Sequence, residues 1–158
     1  MVTYAYYETP ITRVNQNTVR DKIDHLFGWT WRDNPIDPRV NTLFLCEGIP
    51  ILFADVRVRH NSISLYSDIM ISEKDCWDPA MDLPDKCRDT EYDGVKVAFI
   101  HAFTEGVFFL PALRELNPHV RREAGQRTGR PEPREMCRWP DPSLFMRIED
   151  LSLFDWNN

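Results

Sequence analysis

The stretch "ILFADVRVRHNSISLYSDIMIS", residues 51–72, decides how the chain is read. Its first ten residues are rich in β-branched and aromatic types, and so are its last ten. Between them Asn61-Ser62 offers a two-residue turn. A hairpin closed there pairs residues whose numbers sum to 123: Leu52 with Ile71, Ala54 with Ile69, Val56 with Ser67, Val58 with Leu65 and His60 with Ile63. That face is largely apolar, as a core face must be. On the opposite face Asp55 falls across from Asp68, flanked by Arg57/Tyr66 and Arg59/Ser64. With "TLFLCE" just upstream, residues 43–72 predict a three-stranded antiparallel meander with one charged outer face.

Outward from this centre, "VTYAYY" at the start reads as a strand, and "NTVRDKIDHLFGW" as a helix. In the latter, Val19, Ile23, Leu26 and Phe27 fall at helical spacing, Asn17 or Thr18 serves as cap, and Gly28 suits the C′ position. "VKVAFIHAF" (95–103) reads as another strand, and "TEGVFFLPALRELN" (104–117) as a helix entered around Pro111. "PHVRREAG" extends or reopens that helix, with Gly125 as its stop. The fold class expected is therefore α+β: an antiparallel sheet around 43–72, about two helices, and a flexible C-terminal tail. The expected division is a domain over 1–125, a Pro/Arg-rich linker over 126–140 containing "TGRPEPRE", and a binding peptide over 141–158.

The composition, 42% hydrophobic with 12% aromatic residues, supplies enough apolar surface for a folded body. No run approaches the roughly 18 apolar residues of a membrane span, and the start lacks a basic n-region and an apolar h-region, so a cytoplasmic location is expected. The net charge of −6 argues against a body that grips nucleic acid unaided. Nine acids (Asp68, Glu73, Asp75, Asp78, Asp82, Asp85, Asp89, Glu91, Asp93) against Lys74, Lys86 and Arg88 form an acidic loop over 68–93, whose spacing departs from that of a calcium loop. Cys46, Cys76, Cys87 and Cys137 are scattered, without a C-x-x-C pair, and read as reduced structural thiols. His25, His60, His101 and His119 belong to no metal-ligand pattern. Neither cofactor nor metal is expected. The facing carboxylates Asp55 and Asp68 are the only catalytic candidates, since paired carboxylates on a sheet hold divalent cations in many metal-dependent nucleases and hydrolases. Arg57 on the same face can neutralise either one, and the chain reads as a binding protein ahead of an enzyme.

The final residues carry the sharpest signal. Two similar peptides, "DPSLF" (141–145) and "DLSLF" (150–154), stand near the C-terminus, where chains are usually polar. The second resembles the bacterial sliding-clamp-binding motif, whose usual form is Gln-Leu-Ser/Asp-Leu-Phe; four of five positions agree, and Asp150 stands where glutamine is usual. The resemblance implies a peptide lying extended on the clamp. Leu153 and Phe154 would fill a deep pocket, Leu151 a shallower groove, Ser152 would act as spacer, and Asp150 would lie at the groove edge. It implies a toxin-like or phage-encoded protein that blocks or modulates replication, or alternatively a small metal-dependent DNA-processing enzyme recruited by the clamp. Without the motif, the expectation is an inhibitor of an unrelated host complex. The partners expected are the clamp and, as a further candidate, an antitoxin or host protein, with neither a membrane nor direct sequence-specific nucleic acid binding.

Overall fold

A computed structural model of the chain describes residues 10–65, 69–113, 120–123 and 136–156. The expected strand over residues 2–7, residue Asp68 and most of the 126–140 linker lie outside these. The fold is α+β, as the sequence implies, although its connections differ from the expected ones.

The first helix, α1 (Pro10–Phe27), starts well before the expected cap at Asn17 or Thr18. Proline is suited to a helix's first turn, where its missing N–H has no partner to lose. Gly28 closes the helix as expected: its φ is +72°, and its N–H donates to the Asp24 carbonyl at 2.6 Å. The buried stripe is Gln16, Val19, Arg20 and Ile23, whereas Leu26 is exposed. Arg20 is carried inward by its hydrogen bonds. Its guanidinium donates to Thr42 Oγ1 and Asn17 Oδ1, each at 2.7 Å, and lies 4.9 Å from the Trp31 ring centre.

Six strands make the main sheet: β1 (Thr30–Asp33), β2 (Thr42–Cys46), β3 (Ile49–Val58), β5 (Lys96–Phe103), β6 (Gly106–Pro111) and β9 (Met146–Arg147), in the order β1-β2-β3-β5-β6-β9. The β2–β3 hairpin turns through Glu47 and Gly48, at φ 51° and 78°, the positive pair a tight turn of this hand requires. Pro50 sits beside a bulge between Phe44 and Leu45, where a missing ladder N–H does least harm.

The second hairpin of the expected meander is absent from this sheet. β3 pairs instead with β5, in parallel, with Asp55 beside Phe99 and Arg57 beside His101. The chain still turns at Asn61-Ser62, but Arg59 N–H donates to the Ala102 carbonyl and Thr104 N–H to that of Asn61, so β5 occupies the edge that residues 63–72 would have used. Residues Ile63–Leu65 form a single 3₁₀ turn, held by the Glu105 carboxylate, which accepts from Ser62 Oγ and Ile63 N–H. These bonds hold Glu105 at a pKa of about 2. Ile71–Ser72 becomes β4, which joins a separate sheet ordered β4-β8-β7, with β7 at Val120–Glu123 and β8 at Met136–Trp139. Parallel neighbours demand a long crossover, and residues 59–95 supply it.

That crossover contains the second helix, in place of the expected acidic loop. A π-helical turn, Glu73–Trp77, runs into α2 (Asp78–Cys87), and Cys76, Ala80, Leu83 and Cys87, spaced four, three and four, all face inward. The acids lie mainly on the other side. Conversely, the expected helix over 104–117 begins as strand β6, whose inner residues alternate between the sheet's faces, and 120–123 is strand β7 rather than helix. No helix among the described residues is long and apolar enough to cross a membrane.

Both faces of the main sheet are buried. Leu43, Phe53, Phe99, Phe103, Phe108 and Leu110 pack under α2 and the π-helical turn, with Trp77 stacked on Phe99 at 5.5 Å. On the other face Phe44, Leu52, Val56, Ile100 and Phe109 meet Val19 and Ile23 of α1. An ion pair ties α2 to the β1–β2 loop: Asp37 accepts from Arg39 and from Lys86 Nζ, at 2.9 and 3.0 Å. Burial raises the Asp37 pKa, but these bonds outweigh it and leave it at about 2 against an ordinary 3.8. A depressed carboxylate stabilises the fold above its unfolded pKa, so this contribution is lost as pH falls from 3.8 towards 2. It amounts to on the order of 1 kcal/mol, because Arg39 and Lys86 are partly solvated. In urea titrations Asp37→Asn is expected to be less stable than wild type at pH 7 and to show a shallower loss below pH 4 (~1 kcal/mol in total). An unchanged acid slope would remove Asp37 from this role.

Candidate functional site

The C-terminal residues wrap the free edge of β6. Asp141 caps a short 3₁₀ turn, Pro142–Leu144, by accepting from Ser143 N–H at 2.8 Å, and Phe145 then enters the core beside His101 and Phe103. β9 follows, antiparallel to β6, with Phe108 opposite Arg147 and Phe109 opposite Met146. The Arg147 guanidinium lies 5.3 Å from the Phe108 ring centre. A longer 3₁₀ turn, Ile148–Leu153, then crosses onto the sheet's opposite face.

A 3₁₀ helix has three residues per turn, so side chains three apart eclipse. Ile148, Leu151 and Phe154 accordingly form one stripe facing the body. Ile148 is fully buried, Leu151 is 3% exposed, and both belong to the same apolar cluster as Phe109 and Ile100. Phe154 is half-buried, its ring edge-on to Phe109 at 5.9 Å and to Trp156 at 5.0 Å. Leu153 faces solvent at 81% exposure, more than any other large apolar side chain among the described residues. Asp150 and Ser152 are exposed as well. The expected free tail is therefore docked from Asp141 to Trp156. Of the five motif residues, one is core, one half-covered and three displayed. The related peptide 141–145 behaves alike, with Leu144 exposed and Phe145 buried.

The other candidate pair is not assembled as expected. Asp55 lies on β3 at 1% exposure, on a face that α2 and the π-helical turn cover, and Asp68 is outside the described residues. Arg57 takes the Asp55 carboxylate through Nε, at 3.1 and 3.2 Å to its two oxygens. Arg57 Nη2 also donates to Cys76 Sγ at 3.5 Å. Burial, reinforced by the nearby Asp55 charge, pushes the Cys76 thiol far up, so it stays protonated rather than nucleophilic. His101, cross-strand from Arg57, is pushed well down by burial and by Arg59 and Arg57, and is neutral. Asp75 Oδ2 and His101 Nδ1 are buried without a hydrogen-bond partner. Among the described residues no group of three or more His, Cys, Asp or Glu is placed to hold a metal ion. The arrangement is an ion pair with a thiol beside it, held between sheet and helix, with Asp55 and Cys76 buried and Arg57 partly exposed. Sequence reading placed Asp55 and Arg57 on one face correctly. It did not bring in Cys76 or His101, because only the parallel crossover puts them there.

Comparison with protein-family models, curated proteins and solved structures found no match to this chain. The residues of the two candidate sites are thus the whole basis for a functional reading.

Proposed function

We propose that this protein binds the bacterial DNA sliding clamp through Asp150–Phe154 and thereby blocks or modulates replication, in the manner of a toxin-like or phage-encoded inhibitor. The observation that carries the reading is the solvent exposure of Leu153, one of the two pocket anchors implied by the motif. A large apolar side chain held out in water contributes little to folding and most when a partner buries it. The exposed Asp150 and Ser152 leave the polar side of the peptide open to the same partner. The second reading, a clamp-recruited metal enzyme built on Asp55 and Asp68, draws no support from Asp55, whose carboxylate is engaged by Arg57.

Titration of the full chain against a purified bacterial clamp tests the proposal, with micromolar or tighter binding as the expected result. Asp150→Gln supplies the amide usual at that position and is expected to tighten binding about threefold, near the lower end of one added hydrogen bond. Absence of binding by both wild type and Asp150→Gln at micromolar concentration would sink the reading.

A further inference from the structure

The two positions of the motif that face inward set a conflict. An extended peptide on a clamp presents Leu151, Leu153 and Phe154 together, whereas the 3₁₀ turn buries Leu151 and half-covers Phe154 against its own sheet. One peptide cannot satisfy both surfaces at once. We propose that residues 149–156 form a self-masking latch: the body occupies Leu151 and Phe154 in the closed state, and a clamp gains the full motif only when the turn unwinds from Phe109. This rests on the clamp-binding reading above and adds its regulation.

The way the segment is attached suits such a release. Upstream it is anchored by Ile148, fully buried, and by the two-residue pairing of β9 with β6, so the strand can stay while the turn peels. Downstream, the closed form is held by the ring contacts Phe109–Phe154 and Phe154–Trp156 and by one long backbone bond, Phe154 N–H to the Leu151 carbonyl at 3.4 Å. A 3₁₀ turn is intrinsically a weak helix, and its hydrogen bonds are poorly aligned. Affinity for the clamp is then the intrinsic affinity reduced by the fraction of chains in which the turn is open. Leu153, displayed in both states, is available for first contact.

The test compares four full-length chains for binding to a purified clamp. Trp156→Ala and Phe109→Leu lie outside Asp150–Phe154 and weaken the closed state from its two sides, the first by removing the ring edge-on to Phe154 and the second by removing the ring on which Phe154 docks. Each is expected to tighten clamp binding by about fivefold to tenfold, as the open fraction rises. Leu153→Ala touches the exposed anchor and is expected to weaken it. Should Phe109→Leu unfold the domain, Trp156→Ala carries the comparison, and hydrogen exchange over 149–154 in the free Trp156→Ala chain should be faster than in wild type. If wild type binds and Leu153→Ala weakens it, but neither opening variant tightens it, the latch is refuted and the clamp reading stands. If no variant binds, both fall.

Discussion

Leu153→Ala is expected to lower affinity for a bacterial sliding clamp at least tenfold while leaving the folded chain as stable as wild type. The two halves of this outcome come from one fact, the 81% exposure of the side chain. A leucine that makes few contacts in the fold is a surface substitution, worth within about 0.5 kcal/mol of stability. The same leucine buried in a partner's pocket contributes roughly 2 kcal/mol or more, about thirtyfold, which covers the loss of at least tenfold expected in binding. Leu151→Ala makes the contrast sharp. Leu151 is buried with Ile148 and Phe109, so its truncation costs about 2–5 kcal/mol of stability in its own right, and any loss of binding would mix the two effects. Leu153 is therefore the position that separates partner recognition from folding. Equal clamp binding by wild type and Leu153→Ala, measured on chains with matching thermal midpoints, would remove the pocket role of Leu153.

What was legible in the sequence followed from local physics. The α+β class, the helix ending at Gly28, the strand over 95–103 and the hairpin joining 42–46 to 49–58 each rest on a periodic apolar pattern or a turn residue close in the chain. The meander failed because hairpin chemistry at Asn61-Ser62 is local, while the competing partner of β3 is 44 residues away, Leu52 pairing with Lys96. The periodicity of 51–58 is equally at home beside β5. Both faces of that strand are buried, so the alternation of Asp55, Arg57 and Arg59 with apolar residues marked an internal polar seam rather than a solvated surface. The helix at 78–87 was hidden by Pro79, Pro84 and a high density of acids, although its inward spacing was present.

At the candidate site the apolar content of the last residues was legible, and its division was not. Ile148, Leu151 and Phe154 recur every third residue, the period of a 3₁₀ turn, which is uncommon over six residues and carries no strong propensity of its own. Docking against Phe109 selects it. The motif reading grouped Leu151, Leu153 and Phe154, and the fold instead divides them between core and solvent.

Asp55→Ala is expected to destabilise the protein by about 3 kcal/mol in urea unfolding at pH 7, the usual scale for breaking a buried ion pair from one side. Asp55 is 1% exposed, and its carboxylate receives Arg57 Nε, while Arg57 Nη2 donates to Cys76 Sγ. Removing it leaves the Arg57 guanidinium under α2 without that carboxylate. Asp55→Asn keeps the shape and an acceptor oxygen but not the charge, so its loss should be smaller, about half as large. Replacing both partners by apolar residues of similar size, Asp55→Leu with Arg57→Met, should recover most of the stability, because the penalty lies in removing one half of the pair rather than in lacking the pair. A catalytic carboxylate behaves differently. If Asp55→Ala proved as stable as wild type, and magnesium or manganese raised the thermal midpoint of wild type but not of the variant, Asp55 would be a metal ligand exposed in some state of the chain. The ion-pair account would then give way to the enzyme reading.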